Sequence, residues 1–464
     1  MVFCSVIFLF LFLPVTFIIY YCIHPKLRNY WLLLMSIVFY AWGEPKYVFL
    51  ILGSTVVNYL LGLIMDRQEL DMRRKLALAT AIFFNIGILV FFKYSVFFAE
   101  IIKAVTDVDL SSTFLVSKSA MPIGISFFTF QIISYQIDLY RKNIPVQKDP
   151  SKIALYIMLF PQMIAGPIVR YIDIAKEIDN RQLDRDTIFS GVMLFMRGFA
   201  KKIIVSNTMA VAADYAYGNV GLSGALAWLG AVTYMLQIYF DFSGYSDMAI
   251  GMGKMAGFHF SENFNFPYSA SSIQDFWRRW HISLSSWFRD YLYIPLGGNR
   301  KGKARMYINQ LIVFFTTGLW HGASFNFIFW GLYHGFFLCI EKLGLREKME
   351  KLPNIFSKIY TLLIVLIGWV FFRADTMSDA VKTVATMFNP FVWNWTAVLP
   401  VINSEMIFIL IIGAVLSLDL FRKFRTEHTI AYSRIETAVL PAVFVIAVLY
   451  CIGTDFNPFI YFRF

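Results

Sequence analysis

Residues 311–333 read LIVFFTTGLWHGASFNFIFWGLY: two apolar runs joined by a short polar break that carries His321. Neither run alternates in polarity as the strands of an outer-membrane barrel do, and each is bounded by turn-forming residues. The pattern predicts two membrane segments, 306–319 and 323–340, meeting at a turn or break inside the bilayer. Similar runs recur on both sides of it. Further segments are expected at 2–23, 30–42, 46–65, 77–100, 121–135, 152–170, 188–206, 224–241, 356–373, 404–420 and 436–452. Crossing a bilayer takes roughly 17–25 residues, so the expectation is an all-α polytopic membrane protein with about 11–13 transmembrane or re-entrant helices.

Composition points the same way. The 464 residues are 58% hydrophobic, 18% aromatic and only 15% charged, with a mean hydropathy of +0.61. Soluble domains hold about 25% charged residues. No fixed-period repeat is visible, and the chain reads as a single membrane domain over 1–464, with its signature region at 237–335. The first segment lacks a basic leader and a small-residue cleavage site, so it is expected to be retained. The net charge of +11 sits in loops such as DRQELDMRRK (66–75), KNIPVQKDPSK (142–152), EKLGLREKMEK (341–351) and FRKFR (421–425). Basic loops face the cytoplasm, which places both termini outside it. Membrane topology and anionic lipid account for that charge, leaving no case for a nucleic-acid partner. The four cysteines are scattered without metal spacing, so neither a metal site nor a disulfide framework is expected.

Three stretches resist the apolar pattern. The first, FWRRWHISLSSWFRDY (276–291), places three arginines, a histidine and three tryptophans in sixteen residues. On a continuous helix, Phe276, Trp280, Leu284, Trp287 and Tyr291 share one face, and Arg278, His281, Ser285 and Arg289 the opposite one. Such a helix either lies in the membrane interface or lines a cavity with its polar face; arginine beside histidine suits an anionic, phosphate-bearing ligand. The PLGGNRKGKAR loop (295–305), with Asn299, adds glycines and basic groups but lacks P-loop spacing. The second is the break at Trp320–His321–Gly322. An ionisable group at that depth normally faces the bundle interior, and a neutral histidine can exchange a proton near pH 7. His334 is read as structural. The third, QIYFDFSGYSDMAIGMG (237–253), brings Asp241 and Asp247 into an apolar segment; hydrogen bonds to backbone or arginine are expected there rather than a proton path. Gly244, Gly251 and Gly253 suit close helix contacts.

Together with PIGISFFTFQ (122–131), YQIDLYR (135–141), LFPQMIAGPIVR (159–170), GWVFFRA (368–374) and the final NPFIYFRF (457–464), these stretches resemble the membrane-bound O-acyltransferases. The resemblance is to the bacterial branch that acetylates alginate, with relatives that acetylate peptidoglycan or D-alanylate teichoic acid. It implies a ring of helices around a central tunnel, and catalytic roles for His321 and His281. Arg278, Arg279, Ser285, Arg289, Asn299, Trp320 and Gly322 become candidates for donor binding or tunnel lining. It also implies acetyl-CoA as donor substrate with no bound cofactor, a polysaccharide acceptor, an extracytoplasmic SGNH-hydrolase-like acetyltransferase as partner, and residence in the bacterial inner membrane. Two alternatives stay open: acyl transfer from a carrier protein, such as D-alanyl transfer, and a polysaccharide or lipid transporter or flippase.

Overall fold

Without water, a backbone must satisfy its own hydrogen bonds, and the apolar runs accordingly fold as helices. The computed structural model describes residues 1–111, 113, 114, 116, 121–420, 422–453, 459 and 460. Parts of the FRKFR stretch and most of the NPFIYFRF ending lie outside the described residues. Among the described residues there is no strand, only one isolated bridge, between Phe264 and Trp280. Val48–Arg67, Asp71–Thr106, Asn354–Arg373 and Thr429–Gly453 are long and apolar enough to cross a membrane; Phe8–Cys22 and Ser404–Ser417 are shorter apolar helices.

Several expected segments differ in extent. The 224–241 segment is the front half of a 32-residue helix, Gly224–Met255, because the polar QIYFDFSGYSDM stretch continues the helix rather than ending it. The 152–170 segment breaks after Pro150–Met158 into a single turn, Phe160–Met163. Pro161 has no N–H to give the carbonyl of Ile157, so the helix cannot run through. The 188–206 segment continues through a π-turn, Lys201–Ser206, into Asn207–Gly218.

Contacts divide the chain into two compact units, residues 1–195 with 248–261, and residues 196–247 with 262–464. In the first unit, polar side chains join the helices. Asn58 and Asn85 exchange amide hydrogen bonds at 3.1 and 2.8 Å between Val48–Arg67 and Asp71–Leu89. Gln136 donates to the Asn58 carbonyl, and Arg74 reaches the last carbonyls of Ile125–Tyr140. Gly191 and Gly251 let two helices touch: a Cβ on either would lie 2.6 Å from the other's carbonyl oxygen.

In the second unit the two unexpected carboxylates find lysines instead of arginines. Lys202 Nζ lies 2.5 Å from Asp241 Oδ1, and Lys201 Nζ lies 2.7 Å from Asp247 Oδ2. The Lys202–Asp241 pair is almost fully enclosed, and the Ile460 backbone N–H donates to Asp241 Oδ2 at 2.7 Å. Beside it, Phe459 stacks on Tyr245 with centroids 4.5 Å apart. Gly244 meets the Gly198 carbonyl as closely as the Gly191–Gly251 contact. Asp241 thus has the expected backbone hydrogen bond, while both aspartates pair with lysine where arginine was expected.

Candidate active site

The second unit also holds both signature histidines. Lys303–His321 and Phe325–Ile340 form an antiparallel hairpin; His321, expected in the break, is instead the last residue of the first helix, and the turn is 322–324. Their crossing is set by glycines. A Cβ on Gly331 would sit 2.2 Å from the Phe314 carbonyl oxygen, and one on Gly318 would sit 2.2 Å from that of Phe327. Gly331→Ala is expected to cost about 1–3 kcal/mol by overpacking, read as a lower unfolding midpoint of the purified protein. A Cβ on Gly322, just past His321, would lie 2.3 Å from the Phe327 ring, so no larger residue fits there without moving that ring.

The FWRRWHISLSSWFRDY stretch is not one helix. Ile273–Arg279 and Ile282–Phe288 are separate short helices, followed by a π-turn at Arg289–Tyr293. Between them Trp280 is extended and His281 is left-handed, with φ +43° and ψ +56°. The single amphipathic helix expected from periodicity is thereby replaced by a bend. The cause is the loop before it: Asn265 N–H donates to the Arg279 carbonyl at 2.9 Å, and Ile282 N–H to the Asn263 carbonyl at 3.0 Å. These two bonds pull residues 279–282 out of helical register. A left-handed conformation costs a non-glycine residue of order 1–3 kcal/mol and concentrates at functional sites.

Both histidines are buried, His281 fully and His321 at 3% exposure. The Trp320 indole touches both, with centroids 5.9 Å from His281 and 4.9 Å from His321. Trp330 and Phe372 stand edge-on to His321 at 5.0 and 5.2 Å, and Phe242 stands edge-on to His281 at 4.6 Å. The result is a buried aromatic cage around two imidazoles. His281 Nδ1 lies 3.0 Å from Asn263 Oδ1, while its Nε2 has no hydrogen-bond partner among the described residues. His334, read as structural, is buried between Trp277 and Trp330 at 5.2 Å from each.

Beside the cage opens a cleft of about 460 Å³ lined by Trp277, Arg278, Ser285, Arg289, Thr317 and Lys342, among others. Arg278 makes no ion pair among the described residues and also lines a polar cavity of about 290 Å³. Arg289 is held by Asp290 at 2.7 Å, and Arg279 by Asp275 at 3.0 Å. The structure thus gathers Arg278, Ser285 and Arg289 at the cleft and His281, Trp320 and His321 in the cage. Arg279 and Asn299 line neither of the two cavities; Asn299 lies on an exposed turn. Sequence reasoning missed Asn263. Its signal was an amide in the SENFNFPY loop, directly upstream of the signature stretch.

Residues 141–373 match the family described as MBOAT, membrane-bound O-acyltransferase. The whole chain is 38% identical to a probable alginate O-acetylase, AlgI, of Pseudomonas putida, with both proteins covered completely. The chain belongs to the membrane-bound O-acyltransferase family. It is also 36% identical to a peptidoglycan O-acetyltransferase of Helicobacter pylori, over 82% of this chain and 78% of that protein. A teichoic acid D-alanyltransferase of Bacillus subtilis is 30% identical over 54% of this chain and 66% of its own length. As a member of this family the chain is a multi-pass membrane O-acyltransferase with helical architecture.

Proposed function

We propose that this protein takes an acetyl group from cytoplasmic acetyl-CoA for O-acetylation of an envelope or exopolysaccharide, working with an extracytoplasmic SGNH-hydrolase-like acetyltransferase. The observation that carries this reading is the pair of buried histidines sharing Trp320, next to a cleft with an unpaired arginine. The full-length likeness to an alginate O-acetylase, against a half-length likeness to a D-alanyltransferase, favours acetyl over D-alanyl. Loop charge supports a place in the bacterial inner membrane with both termini outside the cytoplasm.

In this mechanism the acceptor hydroxyl gives its proton to His321 as its oxygen attacks the thioester carbonyl. The C–S bond then breaks, and the CoA thiolate takes the proton from the imidazolium and leaves as thiol. A base held in place contributes about 10²–10⁴-fold. Trp330 and Phe372 exclude water that would hydrolyse the thioester. Arg278 grips a donor phosphate at the cleft, with Ser285 and Arg289 beside it. Replacing Arg278 with Ala is expected to raise the donor KM about tenfold, the loss of roughly one charge-assisted hydrogen bond, with kcat little changed.

The test uses inside-out vesicles holding the protein and its partner, supplied with acetyl-labelled acetyl-CoA. Label crossing the membrane in the wild type and not in His321→Ala supports the acetyl relay. Equal crossing in both returns the transporter reading. No crossing in either moves the donor to a carrier-protein thioester.

A further inference from the structure

We propose that Asn263 is a positioning residue that locks the His281 ring in one tautomer and aims a bare Nε2 into the aromatic cage. Asn263 is 1% exposed and lies outside every stretch that carries the chemistry described above. Its side-chain oxygen, Oδ1, receives three groups: His281 Nδ1 at 3.0 Å, Ser283 Oγ at 2.8 Å and the Ser283 backbone N–H at 3.2 Å. Its Nδ2 donates to Ser246 Oγ at 3.1 Å.

The backbone donor decides the assignment. An N–H can only donate, so the atom it meets is the amide oxygen and not the amide nitrogen. That oxygen can only accept, so His281 carries its proton on Nδ1. Its Nε2 is then a lone pair, buried and without a hydrogen-bond partner among the described residues. A buried acceptor left unmade costs about 1–3 kcal/mol. The site holds that cost in reserve for a donor brought by the reaction, an acceptor hydroxyl or the protonated form of the transferring base.

The same residue also sets the bend. The Asn263 carbonyl takes the Ile282 N–H, so one amino acid fixes both the left-handed backbone of His281 and the direction of its ring. Orientation of this kind, a group held by its unreactive nitrogen, is worth about 10–100-fold where a histidine serves a metal; a similar factor is expected here.

Two substitutions separate positioning from mere support. Asn263→Asp keeps an acceptor for His281 and Ser283, and its second oxygen accepts from the Ser246 hydroxyl. Asn263→Leu keeps the volume and removes the acceptor. The first readout is the ¹⁵N spectrum of histidine-labelled protein in nanodiscs, with the His281 signal assigned through His281→Asn. A protonated Nδ1 and bare Nε2 are expected in the wild type and in Asn263→Asp, with mixed tautomers in Asn263→Leu. The second readout is acyl transfer: kcat falling about 10–100-fold in Asn263→Leu at near-constant donor KM, and largely kept in Asn263→Asp.

A wild-type His281 with its proton on Nε2 overturns the proposal, whether or not the leucine variant folds. So does an Asn263→Leu variant with an unchanged spectrum or undiminished kcat. The kinetic arm rests on the acyl-transfer reading above, whereas the spectroscopic arm does not. A wild type inert towards every acyl donor, with the expected tautomer, defeats the function and leaves the positioning role standing.

Discussion

His321→Ala is expected to lower acyl transfer by about 10²–10⁴-fold while the protein still accumulates in the membrane. The size follows from what the imidazole does: it is the proton acceptor that lets a hydroxyl attack a thioester, and positioned proton transfer is worth about that factor. Folding is expected to survive because the ring is held by Trp320, Trp330 and Phe372. Those aromatics pack on one another as well, with Trp330 and Phe372 centroids 5.0 Å apart. Transfer per mole of folded protein, measured with labelled donor at matched membrane levels, checks it. Near wild-type transfer removes His321 from the chemistry.

Lys202→Ala is expected to destabilise the fold by about 3–5 kcal/mol, the usual cost of leaving one partner of a buried ion pair alone. Asp241 would keep its charge inside an apolar bundle, with the Ile460 N–H still donating to it. Replacing both partners, Lys202→Met with Asp241→Leu, is expected to recover much of the loss, since a well-packed apolar pair removes both desolvation penalties. Thermal unfolding of the detergent-solubilised single and double variants reads this out. A single variant as stable as the wild type would show that water reaches the pair.

The membrane class and the helical architecture were legible from run length alone, because backbone in hydrocarbon has few options. The two histidines were legible through the motifs around them, and the close helix contacts of Gly244 and Gly251 through their spacing on one helix, whereas Gly253 meets the Phe260 ring instead of a helix. What periodicity missed was local. It treats FWRRWHISLSSWFRDY as a wheel and is blind to a backbone that leaves the helix at His281 because the loop at Asn263–Asn265 pulls on it. It also missed the partners of Asp241 and Asp247. Lys201 and Lys202 stood in plain view inside the 188–206 apolar run, and two charges there called for two opposite ones. The pairing spans a distance that no local pattern encodes.

The left-handed backbone at His281 also limits what a mutational experiment can say. Most side chains are strained in that conformation; glycine, asparagine, aspartate and histidine are the residues that enter it with least penalty. Alanine or valine at position 281 would therefore bend the chain as well as delete the imidazole, and a dead variant would not tell which loss killed it. Asparagine leaves the bend intact and removes only the ring. Position 281 admits a short alphabet, written by geometry before chemistry chooses a letter from it.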